Sequence, residues 1–271
     1  MTKKLNFYQE TFDNNIIKEE FNFYLKEKLD FNDKDIFIDN DRSLTKAEEK
    51  LIKEFFKQKK EGIPLDYILN STKFYESDFY VDARVLIPRP ETELLVDYVV
   101  NNFNDTIKVL DAGTGSGCIG ISIALKKPNF KVYGSDFSKN ALGVASINKN
   151  NLNARNFFLV NADWLSSFKN ESFDLILSNP PYIAEDDLHL NDLIHEPKIA
   201  LSSSEAGISD IKKIIKQSRE ILKRRGMLII EHGYNQEDEV KNLLKDNYFS
   251  DIYNIKDYQA LPRVTFGILD K

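Results

Sequence analysis

The chain has 271 residues, of which 42% are hydrophobic and 30% are charged, which suits one large domain or a core domain with a smaller one. Its net charge of −6 argues against a protein that grips a long nucleic acid through phosphates, because such proteins usually carry a basic surface. A single cysteine, Cys118, excludes an internal disulfide framework and fits a reducing cytoplasm.

The first 70 residues predict a small helical domain. Its start lacks the apolar core of a secretory signal, and no run in the chain reaches the length of a membrane span, so we expect a cytoplasmic protein away from membranes. Phe21, Tyr24 and Leu25 recur at helical spacing, and a capping box at 45–48 begins a second helix that ends before Pro64. Two interpretations stay open: a core packed by aromatic rings, or a docking domain for a macromolecular substrate.

Residues 71–90 predict a β-hairpin that links two domains. Short β-type runs at 73–75 and 79–81 flank Glu76-Ser77-Asp78. The chain then reads Ile87-Pro88-Arg89-Pro90-Glu91-Thr92-Glu93, in which the acidic residues suit the first turn of a helix.

Strands and helices alternate in the remaining domain, residues 91–271. Apolar runs predict strands at 107–110, 131–134, 157–160, 173–177 and 227–230, and helices include 141–150 and 208–222. This alternation predicts an α/β fold with a mostly parallel sheet and helices on both faces. Two last runs, 249–255 and 263–269, predict an antiparallel hairpin at the sheet edge.

A glycine-rich loop follows the first of these strands. It reads Gly113-Thr114-Gly115-Ser116-Gly117, directly after Asp111-Ala112, and a helix begins near Cys118. Glycine at every second position differs from the dinucleotide pattern and from a P-loop, so the ligand need not carry phosphates. A thiol at a helix start can have a lowered pKa, but the simpler interpretation of Cys118 is a small residue that packs the helix on the sheet.

The next two strands end in residues that suit a nucleoside. Asp136 is placed to accept both ribose hydroxyls, although it could instead cap the helix that contains Ala141. After the third strand, Asp163 could bind an adenine amino group and Trp164 could lie on the adenine ring, although Trp164 could equally belong to the core.

The fourth strand runs into Asn179-Pro180-Pro181-Tyr182. Two prolines fix the backbone and remove two N–H donors, which leaves carbonyl groups free to accept hydrogen bonds from a flat NH2 group. A loop whose prolines merely stop the strand is the simpler alternative. Combined with the glycine loop and Asp136, however, the segment predicts a class I, Rossmann-like methyltransferase that uses S-adenosyl-L-methionine.

The sequence also resembles the protein-(glutamine-N5) methyltransferases that modify peptide chain release factors. The resemblance extends from about Pro64 to Phe266 and rests on several motifs. These are Ile87–Glu93, Asp111–Gly117, Ser135-Asp136, Asp163-Trp164, Asn179–Tyr182, Glu196-Pro197 with Ala200-Leu201, and Glu231-His232-Gly233 with Gln236.

The resemblance implies a fold, a reaction and a set of site residues. The fold is a seven-stranded sheet with an antiparallel edge hairpin, preceded by the helical domain and the hairpin linker. The reaction methylates the glutamine of a Gly-Gly-Gln motif in a release factor, which modulates translation termination. Asn179, Pro180 and Tyr182 are then catalytic and, with Pro181, bind the substrate. The cofactor residues are Gly113, Thr114, Gly115, Ser116, Gly117, Asp136, Trp164 and Asn179.

The expected partner is a release factor bound transiently by a monomer, with no stable nucleic acid contact and no metal. The three histidines have no metal-ligand spacing with a cysteine pair. Two other acceptors stay open, a glutamine of a ribosomal protein and the N6 of adenine in DNA or RNA, because adenine also presents a flat NH2. A binding module without activity is a third alternative.

Overall fold

The computed structural model describes residues 3–10 and 15–270. The chain divides into two compact units, Met1–Ser71 and Thr72–Lys271. Met1, Thr2, residues 11–14 and Lys271, which the predicted domains 1–70 and 91–271 include, lie outside the described residues. Nowhere in the described ranges is a helix both long and apolar enough to span a bilayer.

The first unit is helical, as predicted. Its described helices are α1 (Leu5–Gln9), α2 (Asn15–Leu29), α3 (Asp33–Phe37), α4 (Lys46–Lys60) and α5 (Leu65–Leu69). The predicted capping box begins α4: Thr45 Oγ1 accepts from the amide of Glu48 at 3.2 Å, and Glu48 accepts from the amide of Thr45 at 2.6 Å. Aromatic rings fill the core, with Phe55 lying 5.3 Å from Phe21 and 4.7 Å from Tyr24 between ring centroids.

The second unit begins with the predicted hairpin, but its turn lies earlier in the chain. β1 (Thr72–Phe74) pairs with β2 (Ser77–Phe79), so the predicted strands 73–75 and 79–81 are wrong in their bounds. Tyr75 turns the chain with a φ of 55°, and its amide donates to Glu93 Oε1 at 2.8 Å. This long-range hydrogen bond holds the tight turn, and Phe74 and Phe79 pack into the core of the second unit.

The rest of the second unit alternates as predicted. A 3-10 turn at Pro90–Thr92 is followed by α6 (Glu93–Asn102), β3 (Lys108–Ala112), α7 (Cys118–Lys126), β4 (Lys131–Asp136), α8 (Lys139–Asn151), β5 (Phe157–Asn161), β6 (Phe173–Ser178), β7 (Ile183–Ala184), further 3-10 turns at Leu188–Leu193 and Lys198–Ala200, β8 (Ser202–Ser203), the short turn α9 (Ser204–Gly207), α10 (Ser209–Ile221), β9 (Leu222–Glu231), α11 (Glu237–Asp246), β10 (Phe249–Lys256) and β11 (Pro262–Leu269).

The main sheet has seven strands in the order β10-β11-β9-β6-β3-β4-β5. The pairs from β9 to β5 are parallel, and β11 runs antiparallel to both β9 and β10, which confirms the predicted fold class and edge hairpin. Consecutive residues of β3, Val109 and Leu110, enter different hydrophobic cores on opposite faces. The sheet is therefore covered on both faces, and the carboxyl ends of its parallel strands meet at one edge.

Candidate active site

A cleft of about 360 Å³ lies at the edge of the sheet where β3, β4 and β6 end; we call it the first cleft. Small-molecule sites usually measure about 300 to 1,000 Å³. Most residues that the sequence singled out lie in its wall: Gly113, Thr114, Gly115, Ser116, Asp136, Trp164, Asn179 and Pro181. The parallel sheet has thus brought together segments that are far apart in the sequence.

A second cleft of about 390 Å³ adjoins the first. Pro180 and Tyr182 line the second cleft, whereas Asn179 and Pro181 line both. The Asn-Pro-Pro-Tyr segment therefore forms the boundary between the two clefts. Beside this segment, a ligand in the first cleft and a ligand in the second cleft can come into contact.

The glycine loop turns through left-handed backbone at the base of the first cleft. Gly113 has a φ of 75° and Gly115 a φ of 55°, and the amide of Gly113 donates to the carbonyl of Ser135 at 2.9 Å. A Cβ on Gly113 would lie 2.8 Å from the Trp164 ring, whereas one on Gly115 would meet nothing within 4 Å. Gly113 thus permits close packing of Trp164, and Gly115 leaves open space where a ligand can approach the backbone.

Asp111 fastens this loop from within the protein. Its Oδ2 accepts from Thr114 Oγ1 at 2.6 Å and from the amide of Gly120 at 3.0 Å. Burial raises the pKa of Asp111 to about 6, although both hydrogen bonds oppose that rise. The carboxyl group therefore ties the loop to the first turns of α7.

Gly117, the last glycine of the motif, stands outside the walls of both clefts. Its φ is 84°, and a Cβ there would lie 2.8 Å from Ile121 Cδ1, so it serves the entry into α7. Cys118 follows it and is 8% exposed. Cys118 belongs to a hydrophobic cluster with Ile119 and Ile121, as the packing interpretation predicts, and it also lines the first cleft. Burial raises the pKa of the Cys118 thiol to about 12.

Asp136 lies in the wall of the first cleft at the end of β4. One of its oxygens accepts from the amide of Gly115 at 2.9 Å and the other from the amide of Ser138 at 2.8 Å. Burial raises the pKa of Asp136, and these two hydrogen bonds oppose the rise. The cap of α8 is Ser138, whose Oγ accepts from the amide of Ala141 at 3.2 Å, so the helix-cap interpretation of Asp136 is wrong.

Trp164 contributes both to the first cleft and to the core. Its ring stands against Gly113 and packs on the hydrophobic cluster around α10, and its Nε1 donates to Asp210 Oδ1 at 3.1 Å. The core interpretation of this tryptophan is confirmed, and its contact with adenine stays a prediction. The neighbouring Asp163 carboxylate pairs with Lys213 Nζ at 2.7 Å.

Asn179 is held by a residue distant in the sequence. Its Nδ2 donates to Thr92 Oγ1 at 3.0 Å, and Thr92 is only 2% exposed. The nitrogen end of the carboxamide is thereby engaged, and the oxygen end is the acceptor that this side chain can offer to a ligand.

A buried carboxyl group, Glu231, contacts the Tyr182 end of the Asn-Pro-Pro-Tyr segment. It ends β9, is 1% exposed, and its Oε1 accepts from the Tyr182 hydroxyl at 3.3 Å. Burial raises the pKa of Glu231 to about 7, and the neighbouring Thr92, the charge of Arg263 and the hydrogen bond from Tyr182 oppose that rise. The nearby Glu91 raises it further. Sequence reasoning missed Thr92 and Glu231 as site residues, although both stood in the motifs of the resemblance.

Gln236 and Gly207 hold the backbone of Tyr182 in place; we call this arrangement the clamp. Its carbonyl accepts from Gln236 Nε2 at 3.2 Å, and Gln236 Oε1 accepts from the amide of Gly233 at 2.9 Å. Gly207 closes the clamp with a φ of 87°, preceded by two residues that are also left-handed, and a Cβ there would lie 2.1 Å from the Tyr182 carbonyl oxygen. Such strain persists only where surrounding contacts impose it, which here fixes the position of Tyr182.

An ion pair fastens the segment that flanks both clefts. Arg89, which lines both clefts, contacts Glu196 Oε1 at 2.5 Å, and the amide of Ile87 donates to Glu196 Oε2 at 3.0 Å. Among the described residues there is no cluster of three or more potential ligands that could hold a metal ion.

Comparisons with known proteins place this geometry in context. A family model described as Methyltransferase small domain matches residues 90–258. A release factor glutamine methyltransferase of Coxiella burnetii is 33% identical over 232 residues, which cover 85% of this chain and 84% of that protein. A protein of the same name from Neisseria gonorrhoeae is 40% identical over 210 residues, covering 76% and 77%.

Solved structures agree on the fold. A methyltransferase from Pyrococcus furiosus has a TM-score of 0.56 and 16% identity, and the match covers 73% of this chain and 91% of that one. At this identity the likeness concerns the fold alone.

Proposed function

Because the chain belongs to the release factor glutamine methyltransferase family, we propose that it methylates the side-chain nitrogen of a glutamine in a peptide chain release factor, using S-adenosyl-L-methionine. The observation that carries the proposal is the boundary position of the Asn-Pro-Pro-Tyr segment between two clefts. The first cleft takes the cofactor, and the second takes the acceptor side chain.

The residues of the first cleft fit this cofactor. Open space beside Gly115 admits a ligand close to the backbone, Asp136 is an acceptor for ribose hydroxyls, and the Trp164 ring offers a flat surface for adenine. Thr114 and Ser116 complete the loop beside the methionine portion. When bound, S-adenosyl-L-methionine supplies an electrophilic methyl group on a sulfonium.

The residues of the boundary segment hold the acceptor. An amide nitrogen is a poor nucleophile because its lone pair is delocalised into the carbonyl, so the acceptor must be positioned accurately. Asn179 Oδ1 and the Pro180 carbonyl accept hydrogen bonds from its NH2, Tyr182 packs against the flat amide, and Pro181 keeps the backbone rigid. Positioning of this kind can lower a barrier by about 7–11 kcal/mol in the most favourable cases.

Asn179 Oδ1 and the Pro180 carbonyl also stabilise the positive charge that develops on the glutamine nitrogen during methyl transfer. The acceptor nitrogen gains the methyl group and becomes positive, and acceptor oxygens already aimed at it stabilise that charge without reorganising. The positive charge makes the N–H acidic, so its proton can leave to water without a dedicated base.

The finer parts of the proposal concern the partner. The acceptor glutamine lies in a Gly-Gly-Gln motif, the enzyme works as a monomer in the cytoplasm, and the helical first unit docks the release factor. Exposed apolar side chains on the first unit, Phe37 at 60% and Ile38 at 72%, support a docking role, and the net charge of −6 disfavours a stable complex with nucleic acid.

The test is methyl transfer from labelled S-adenosyl-L-methionine to four acceptors in parallel: a release factor, the same factor with alanine in place of the acceptor glutamine, ribosomal subunits, and DNA. Label in the intact release factor alone supports the proposal. Label in ribosomal protein or DNA without label in the release factor would overturn it.

Asn179→Ala tests the role of the segment itself. We expect turnover to fall by about 10²–10³-fold, as when one preorganised hydrogen-bonding group is removed from an active site. Binding of S-adenosylhomocysteine, measured by calorimetry, should stay within about threefold of the original protein because the remaining walls of the first cleft are intact. Near-normal turnover by this variant would contradict the role of Asn179.

A further inference from the structure

Asn148 joins two segments that line the first cleft. It lies in α8 and is 1% exposed. Its Oδ1 accepts from the amide of Tyr80 at 2.7 Å, and its Nδ2 donates to the carbonyl of Tyr80 at 2.9 Å and to the carbonyl of Ser116 at 2.8 Å. The N–H groups of this one carboxamide therefore serve two segments that are distant in the sequence.

The Ser116 carbonyl belongs to the glycine loop at the base of the first cleft. Ser116 lines that cleft and lies between Gly115 and Gly117, whose φ values of 55° and 84° are left-handed. Glycines add no side chain that could pack, so the position of such a loop depends on hydrogen bonds to its backbone. Asn148 supplies one of these bonds at the Ser116 end of the loop.

Tyr80 begins the second segment, residues 80–89, directly after β2. Five residues of this segment line the first cleft: Arg84, Val85, Leu86, Pro88 and Arg89. Glu196 holds its far end through the amide of Ile87, at 3.0 Å. Asn148 holds its near end, because the carboxamide pairs with both the N–H and the C=O of Tyr80, as a neighbouring β-strand would.

The near end of this segment is also linked to a side chain in the cleft wall. The Tyr80 hydroxyl donates to Asp82 Oδ2 at 2.8 Å. Asp82 Oδ1 accepts from the amide of Arg84 at 3.0 Å and from its Nε at 2.8 Å, and Arg84 lines the first cleft. A displacement of Tyr80 would therefore move Arg84 as well.

We propose that Asn148 is a positioning residue that fixes the separation of the glycine loop and the 80–89 segment, and that it thereby couples cofactor binding to the position of Tyr80. Asn148 stands outside the walls of both clefts, so it acts through the backbone groups that it holds. The inference rests on the proposed function, which puts S-adenosyl-L-methionine in the first cleft.

The coupling works in both directions. A ligand that touches both segments binds most tightly when their separation is already correct. By linkage, the bound ligand must stabilise the hydrogen bonds that set this separation to the same degree. Cofactor binding should therefore make the opening of the Tyr80–Asn148 pair rarer.

Asn148→Ala tests the inference, and Asn156→Ala is its matched control. Asn148→Ala removes all three hydrogen bonds and leaves the two segments without their common partner. Asn156 also holds the backbone at three points, but outside the walls of both clefts: its Nδ2 donates at 3.1 Å to the carbonyls of Ala124, Lys127 and Phe130. Both variants should lower the midpoint of urea denaturation.

The first measurement is the affinity of each variant for S-adenosylhomocysteine by calorimetry, together with its KM for S-adenosyl-L-methionine. We expect Asn148→Ala to lose at least about fivefold in affinity and to raise this KM by a similar factor, within the usual range of coupling between sites. The affinity of Asn156→Ala, and the KM of both variants for the release factor, should stay within about twofold of the original protein.

The second measurement needs only the original protein. Hydrogen exchange of single amides is followed by NMR with and without S-adenosylhomocysteine. The amide of Tyr75 is the internal control, because it also donates to a side chain, Glu93 Oε1 at 2.8 Å, in the same hairpin. We expect the ligand to slow exchange of the Tyr80 amide at least about fivefold more than exchange of the Tyr75 amide.

An affinity of Asn148→Ala within about twofold of the original protein, or an equal loss in Asn156→Ala, would overturn the inference. Equal slowing of the two amides would overturn it as well. If Asn148→Ala does not fold, as judged by circular dichroism, the exchange measurement decides the question alone. Failure of the original protein to bind S-adenosylhomocysteine would instead refute the proposed function, so the two failures are distinguishable.

Discussion

Gly207→Ala is the sharpest test of how the protein fixes its acceptor segment. Gly207 has a φ of 87°, and an added Cβ would lie 2.1 Å from the carbonyl oxygen of Tyr182 and 3.0 Å from Gln236 Nε2. The substitution adds a single methyl group, yet it strains the backbone and displaces the clamp at the same time.

The expected cost follows from these contacts. Left-handed backbone costs a residue with a Cβ about 1–2 kcal/mol. The Tyr182 carbonyl must also move from 2.1 Å to at least 3.0 Å from the new atom, a shift large enough to break its 3.2 Å hydrogen bond with Gln236. That bond contributes about 1 kcal/mol, so the free energy of unfolding should fall by roughly 2–3 kcal/mol in total.

Urea denaturation followed by fluorescence and circular dichroism measures this loss, and methyl transfer to the release factor measures its effect on function. A displacement near 1 Å at a reacting group can cost about 10²-fold in rate, so turnover should fall at least tenfold. Gly143→Ala is the matched control. A Cβ at Gly143, within α8, would come no closer than 3.5 Å to Arg84 Nη1, and alanine there should stabilise the helix by about 1 kcal/mol.

The free energy of unfolding of Gly207→Ala could lie within about 0.5 kcal/mol of that of the original protein, with a normal rate of methyl transfer. That result would show that the clamp does not stabilise the acceptor segment. If Gly143→Ala is destabilised to the same degree, the loss reflects a general intolerance of added methyl groups.

Three further predictions concern charged groups. Asp136→Ala should weaken S-adenosylhomocysteine binding by about tenfold or more, because charge-assisted hydrogen bonds to ribose are lost, and unchanged affinity by calorimetry would refute the ribose role. Burial raises the pKa of Glu231 to about 7, above its ordinary 4.5, so its contribution to stability is present below pH 4.5 and is lost as the pH rises through 7. The unfolding free energy of the original protein should fall relative to Glu231→Gln by about 3 kcal/mol between those limits, and a constant difference in urea titrations would contradict this. Arg89→Ala should cost about 1–3 kcal/mol because it leaves Glu196, whose side chain is 4% exposed, without its cation, whereas Arg84→Ala in a more exposed pair should cost less than about 1 kcal/mol.

The sheet and much of the first cleft could be predicted because their signals are local. Each apolar run forms one strand, and parallel strands bring the residues that follow them to a common edge. Gly113, Asp136, Trp164 and Asn179 each follow or end a different predicted strand, and the structure brings all four into one wall.

The parts that sequence reasoning missed depend on contacts between distant residues. Thr92 looks like part of a helix start, and its partner Asn179 lies 87 residues further along the chain. Glu231 looks like the polar end of an apolar strand, and only the fold reveals that it is buried. The turn at Tyr75 was misplaced for the same reason, since Glu93 holds it from outside the hairpin.

The position of β11 has a consequence for the order in which the protein folds. β11 inserts between β10 and β9, and β9 pairs with β6, whose end leads into Asn179. Pairings between distant segments form late, because the intervening loop must close before any contact is gained. During synthesis, β6 and β9 leave the ribosome before residues 262–269 do, and β9 has no partner on that side until they arrive. Because Arg263 of β11 lines the second cleft, the wall of that cleft is complete only after β11 has been translated.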